Sequence, residues 1–209
     1  MAADSRGVWV GAPEDLYGRV DRIESGDRQV LIEASAENGI GLSLAWNANL
    51  GLSMGAPLSN SSAGELLDEQ GNLIIEGAPG ERLGSAMGVH DDGWIVGGNN
   101  RIRGADIALE PPGRPRSLVV FHDQIVAGLG QLRDGIWIGG DILHTSKEGS
   151  LAGTSMCVGD FDSDGEEELV VGSPGTNEVL VFDSIPQAGP LNEHARTFSG
   201  SGHFGWSVA

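Results

Sequence analysis

Apolar residues along this chain come in short runs of about five, as in Ser117-Leu-Val-Val-Phe121 and Glu178-Val-Leu-Val-Phe182, each broken within a few residues by glycine, proline or an Asp-Gly pair. Runs of that length, rich in β-branched residues and bounded by turn formers, predict strands, and the chain reads as all-β. Gly-Ala-Pro or a relative closes an apolar run at Gly11-Ala-Pro13, Gly55-Ala-Pro57, Gly97-Gly98, Gly139-Gly140 and Gly172-Ser-Pro174. The first glycines stand 44, 42, 42 and 33 residues apart. A recurrence of that length marks an array of supersecondary units, each burying its faces against its neighbours.

A second element precedes each of these glycines: Ile40–Ala45, Leu83–Met87, Ala127–Gly130, Ala152–Cys157 and Phe204–Ala209, all rich in glycine, serine and alanine. Such residues suit inner strands that converge where there is no room for large side chains. Trp9 and Trp137, each two residues before its glycine, are then equivalent positions packed between neighbouring units. Trp94, three before, lies on the other face of its strand.

Between the last two elements runs Asp160-Phe-Asp-Ser-Asp-Gly-Glu-Glu-Glu168, entering the strand Leu169-Val-Val-Gly-Ser. A hard divalent cation takes six to eight oxygen ligands, and alternate side chains converge when a glycine turns the chain behind them. Asp160, Asp162, Asp164 and Gly165 fit that scheme, with Glu166 offering its main-chain carbonyl and Glu168 a carboxylate at position 9. An EF-hand would need a bidentate Glu at position 12 and then a helix. Position 12 is Val171, inside an apolar run, so a compact calcium loop between two strands is expected. Asn47-Ala-Asn49, Asp91-Asp92-Gly93, Asp134-Gly135 and Asp4-Ser-Arg-Gly7 lack the acidic triad, leaving one calcium site.

The combined order of Phe-Gly, a small-residue strand, a calcium loop, an apolar strand and Gly-Ala-Pro resembles the FG-GAP repeat family, whose best-known members are the β-propellers of integrin α subunits. Residues 152–182 match almost completely, Phe204–Ala209 restart the pattern, and the other repeats match in outline. The resemblance implies calcium binding by Asp160, Asp162 and Asp164. The family's ninth ligand is usually Asp, whereas Glu168 stands here. Five units of about 42 residues predict a five-bladed propeller over residues 1–209, one domain, in which Phe204–Ala209 forms the inner strand of the blade begun by Val8–Ala12. The alternative is a fragment of a seven-bladed propeller.

No apolar run approaches the ~20 residues of a membrane span, and the first residues carry no apolar signal core. Cys157 is the only cysteine, which excludes an intramolecular disulfide. A net charge of −18, from 30 acidic and 12 basic side chains, makes nucleic acid and anionic membranes poor partners. His90, His122, His144, His194 and His203 are scattered without zinc spacing, and no nucleophile elbow is present. The expectation is a non-catalytic calcium-binding module, extracellular, cell-surface or periplasmic, with a protein ligand in adhesion or recognition. The alternatives are a carbohydrate-binding, lectin-like propeller and the propeller domain of a secreted hydrolase or lyase.

Overall fold

The structure, a computed structural model, describes residues 2–4, 7–12, 18–34, 37–90, 93–129, 134–145, 147–186 and 189–209. They form five four-stranded antiparallel sheets, each a meander in chain order. Two compact units divide them, Met1–Arg114 and Pro115–Ala209.

The first unit holds three sheets. The first is β1 (Ala2–Asp4), β2 (Gly7–Gly11), β3 (Arg19–Glu24) and β4 (Asp27–Glu33). The second is β5 (Ser43–Asn47), β6 (Gly51–Ala56), β7 (Glu65–Asp68) and β8 (Leu73–Glu76); the third is β9 (Ala86–His90), β10 (Gly93–Gly98), β11 (Arg101–Arg103) and β12 (Ala108–Leu109). Trp9, Val20, Leu52 and Met54 make the core between the first two sheets. Leu66, Leu83, Trp94 and Val96 do the same between the second and third. Because successive residues of a strand face opposite ways, each sheet buries one set of side chains against each neighbour.

The second unit holds two sheets: β13 (Ser117–Phe121), β14 (Gln124–Gly128), β15 (Ile136–Ile138) and β16 (Asp141–Leu143), then β17 (Met156–Gly159), β18 (Glu168–Ser173), β19 (Glu178–Phe182) and β20 (Arg196–Ser199). Phe121, Val126, Ile136, Leu169, Val171, Leu180 and Phe182 fill the space between them.

One junction recurs within the units. A Cβ on Gly11, Gly55, Gly128 or Gly172 would overlap the carbonyl oxygen of Gly41, Gly84, Gly153 or Gly205 respectively, a residue from the start of the following repeat. These four partners all take positive φ, between 81° and 89°, which L side chains rarely adopt. Serines fasten three of the junctions: Ser43 Oγ donates to the Gly84 carbonyl at 2.7 Å, Ser117 Oγ to Gly153 at 2.9 Å and Ser155 Oγ to Gly205 at 3.1 Å. Small residues are therefore required where two sheets meet backbone to backbone. The Ala152–Ser155 run is a turn serving this contact, and the strand begins only at Met156.

The junctions correct the repeat register expected from sequence. In the fourth sheet the glycine is Gly128, at the end of the second strand, whereas Gly139 and Gly140 turn β15 into β16. Ser117–Phe121 is thus a first strand, and His122 and Asp123, both at positive φ, close a two-residue hairpin into the second. Trp137 lies on a third strand and Trp9 on a second, so they are not equivalent. Phe204–Ala209, expected as an inner strand, forms no strand, and both edges of β2 are taken, by Ala2–Asp4 and by β3.

Candidate metal centre

The acidic loop joins β17 to β18, which pair from Met156↔Val171 to Gly159↔Glu168, so its two ends are held together before any ion is considered. Asp160 organises the turn. One of its oxygens accepts the Asp164 N–H and the other the Gly165 N–H, each at 3.2 Å. Asp164 Oδ1 accepts the Glu166 N–H at 2.9 Å, and Gly165 at φ 95° lets the chain reverse. Glu168, only 1% exposed at the base of β18, accepts the Phe161 N–H at 2.7 Å. Asx-type bonds of this kind fold the loop locally, in keeping with the spacing of its aspartates.

The consequence is a convergence of charge. Oxygens of Asp160, Asp162, Asp164 and Glu168 all lie within 4.8 Å of one another. The donors are hard carboxylate oxygens, the chemistry that suits calcium or magnesium rather than a thiophilic metal. The Glu166 side chain stands outside this group. Among the described residues no other cluster of three or more His, Cys, Asp or Glu side chains converges in this way.

Sequence reasoning missed the cation beside the loop. Arg196, on β20, donates from Nη1 to Asp162 Oδ2 at 3.3 Å and from Nη2 to Asp183 Oδ1 at 2.8 Å. The Asp183 charge, more than that of Asp162, raises the guanidinium further above its already high pKa. Thirty-four residues separate Arg196 from Asp162, a pairing that emerges only from the fold.

Among the described residues the other loops hold no comparable set. Asn47 Oδ1 accepts the N–H groups of Asn49 and Leu50 at 2.8 and 3.2 Å, as Asp160 does in the longer loop, but supplies no charge. Asp134 offers its carbonyl to His144 Nδ1. Asp91, Asp92, Ser5 and Arg6 lie outside the described residues. Cys157 is half-buried on β17, and burial pushes its thiol up, away from the reactive thiolate.

The family model of the FG-GAP repeat matches residues 152–183, the segment that carries this loop. No curated protein matches the sequence. Among solved structures, apo AztD from Citrobacter koseri is similar over 98% of this chain and 60% of its own, with a TM-score of 0.51 at 9% identity. The chain thus spans about 60% of the length of AztD, and the likeness is one of fold. BBS1N, solved in complex with ARL6DN and soaked with lead, is similar over 85% of this chain and 84% of its own, with a TM-score of 0.41 at 10% identity.

Proposed function

We propose that this chain is a calcium-binding, non-catalytic FG-GAP propeller module that serves adhesion or protein–protein recognition outside the cell, at the cell surface or in the periplasm. The observation that carries the proposal is the convergence of Asp160, Asp162, Asp164 and Glu168 within a segment matched by the FG-GAP repeat. Asp160 shapes the loop through backbone N–H groups, Glu168 supplies a buried oxygen from the strand, and Asp162 and Asp164 close the exposed side. Calcium supplies the positive charge that lets four carboxylates share one small volume.

The exposed surface around the loop, which includes Phe161 at 51% exposure, is then held in one conformation for a partner. A protein array and a glycan array, probed with labelled chain in calcium and in chelator, test the recognition role. Calcium-dependent protein binding without glycan binding supports it. Glycan binding would transfer the assignment to the carbohydrate-binding alternative, and binding indifferent to calcium would overturn the coupling of ion to recognition.

A further inference from the structure

Arg196 stands where a second cation would compete for the acidic loop. It opens β20, the outer strand of its sheet, opposite Val181 of β19, and all four residues of that strand are exposed. Its guanidinium donates to Asp162 Oδ2 at 3.3 Å and to Asp183 Oδ1 at 2.8 Å. Asp162 is one of the four carboxylates whose oxygens converge, and among the described residues no other ion pair reaches that set. The loop thus already holds one positive charge, supplied by the chain itself.

Two effects of opposite sign follow from that placement. A donor behind a ligating carboxylate orients it, and loss of such a partner weakens metal binding about 10–100-fold. A positive charge beside the same carboxylate does the reverse, because it repels the incoming cation and neutralises one of the charges that would attract it. The geometry decides between them. The loop takes its shape from bonds of Asp160, Asp164 and Glu168 to backbone N–H groups, and Arg196 takes part in none of these. Its bond to Asp162 is the longer of its two, beyond the roughly 2.7–2.9 Å of a close charge-assisted bond, and the two side chains are 48% and 42% exposed. A long bond in contact with water orients weakly, whereas charge acts at a distance.

We propose that Arg196 is a built-in competitor of the metal ion: it meets Asp162 with a positive charge and so lowers the loop's calcium affinity below what the four carboxylates alone would give. The inference rests on the calcium reading of this loop. In the absence of calcium the guanidinium offsets part of the repulsion among Asp160, Asp162, Asp164 and Glu168. In its presence the guanidinium is a like charge beside the ion. Because two cations share one carboxylate, each weakens the other's hold on it by the same factor. The site is thereby tuned toward reversible occupancy, away from a permanently held structural ion.

Calorimetric titration of calcium into the wild type, Arg196→Gln and Arg196→Lys, at low and at physiological ionic strength, tests it. The position is exposed, so the variants are expected to fold. Arg196→Gln should bind calcium about three- to tenfold more tightly than the wild type, the effect of one unit charge beside a divalent ion once salt has screened part of it, and the gain should be larger at low salt. Arg196→Lys keeps the charge and loses the planar fork, and should bind within about twofold of the wild type. A purely orienting role would instead weaken binding in Arg196→Gln. Affinity unchanged or reduced in Arg196→Gln, a gain indifferent to salt, or an Arg196→Lys as tight as Arg196→Gln would each overturn the proposal and leave the calcium reading standing. An absence of binding in all three proteins would remove that reading and the proposal together.

Discussion

Replacing Asp164 by Asn should move stability in opposite directions with and without calcium. The substitution is isosteric and keeps the oxygen that accepts the Glu166 N–H, so the loop's fold survives while one charge is lost. Four carboxylates form six pairs, and three of them involve Asp164. At the 4.8 Å limit within which their oxygens lie, one pair costs about 0.9 kcal/mol in a medium as polar as water. Removing three unscreened pairs would relieve about 2–3 kcal/mol. Screening at physiological salt and relaxation of the exposed side chains reduce this to on the order of 1–2 kcal/mol. In chelator the variant should therefore melt a few degrees above the wild type. In calcium at a hundredfold excess over Kd the wild type gains about 2.7 kcal/mol. At roughly 2–4 °C per kcal/mol for a chain of this size, that is about 5–10 °C, much of which the variant forfeits. The two melting curves should thus exchange order between calcium and chelator. A variant less stable than the wild type in both media would refute the repulsion argument, and wild-type curves that ignore calcium would refute the site itself.

Other consequences can be measured in the same preparations. Gly172→Ala places a Cβ against the Gly205 carbonyl, and overpacking of this kind costs about 1–3 kcal/mol in urea unfolding; wild-type stability would mean the junction yields. Arg103→Met removes the ion-pair partner of Glu81, whose side chain is 2% exposed, and breaking such a pair costs up to about 3–5 kcal/mol where both partners are buried, less here because Arg103 is 29% exposed; a loss near zero would show that the pair contributes nothing to stability. Burial alone would raise the Glu178 carboxyl, but hydrogen bonds from Lys147 and Thr176 and the Lys147 charge outweigh it and hold it below its ordinary 4.5. A depressed folded pKa stabilises above the unfolded value and is lost as pH falls through the folded one, so Lys147→Met should flatten the stability–pH curve below about pH 4.5; an unchanged curve would contradict this.

The acidic loop was legible in the sequence because its carboxylates are neighbours and their spacing encodes the turn. Asp160 to Glu168 fold on one another through bonds spanning no more than seven residues. The strands and three of the four junction glycines, Gly11, Gly55 and Gly172, were legible for the same reason, since Ala-Pro or Ser-Pro follows locally. Gly128 escaped because its role depends on the Gly153 carbonyl of the next repeat, a long-range contact with no local signature, while the hairpin glycines Gly139 and Gly140 imitated it. Pairing of the two ends was expected because they spell one repeat in sequence, yet Ala2–Asp4 lies closer to β2 along the chain and takes that edge. The place of Arg196 follows from β19–β20 register, which alternation alone does not specify.

The most direct test of calcium binding at the Asp160–Glu168 loop is calorimetric titration of the wild type beside Asp162→Ala, Asn49→Ala and Asp134→Ala. Convergence of a single set of four carboxylates among the described residues predicts about one ion per chain for the wild type, Asn49→Ala and Asp134→Ala, and none for Asp162→Ala. No heat of binding in the wild type, or a stoichiometry of three or four ions that survives Asp162→Ala, would contradict it.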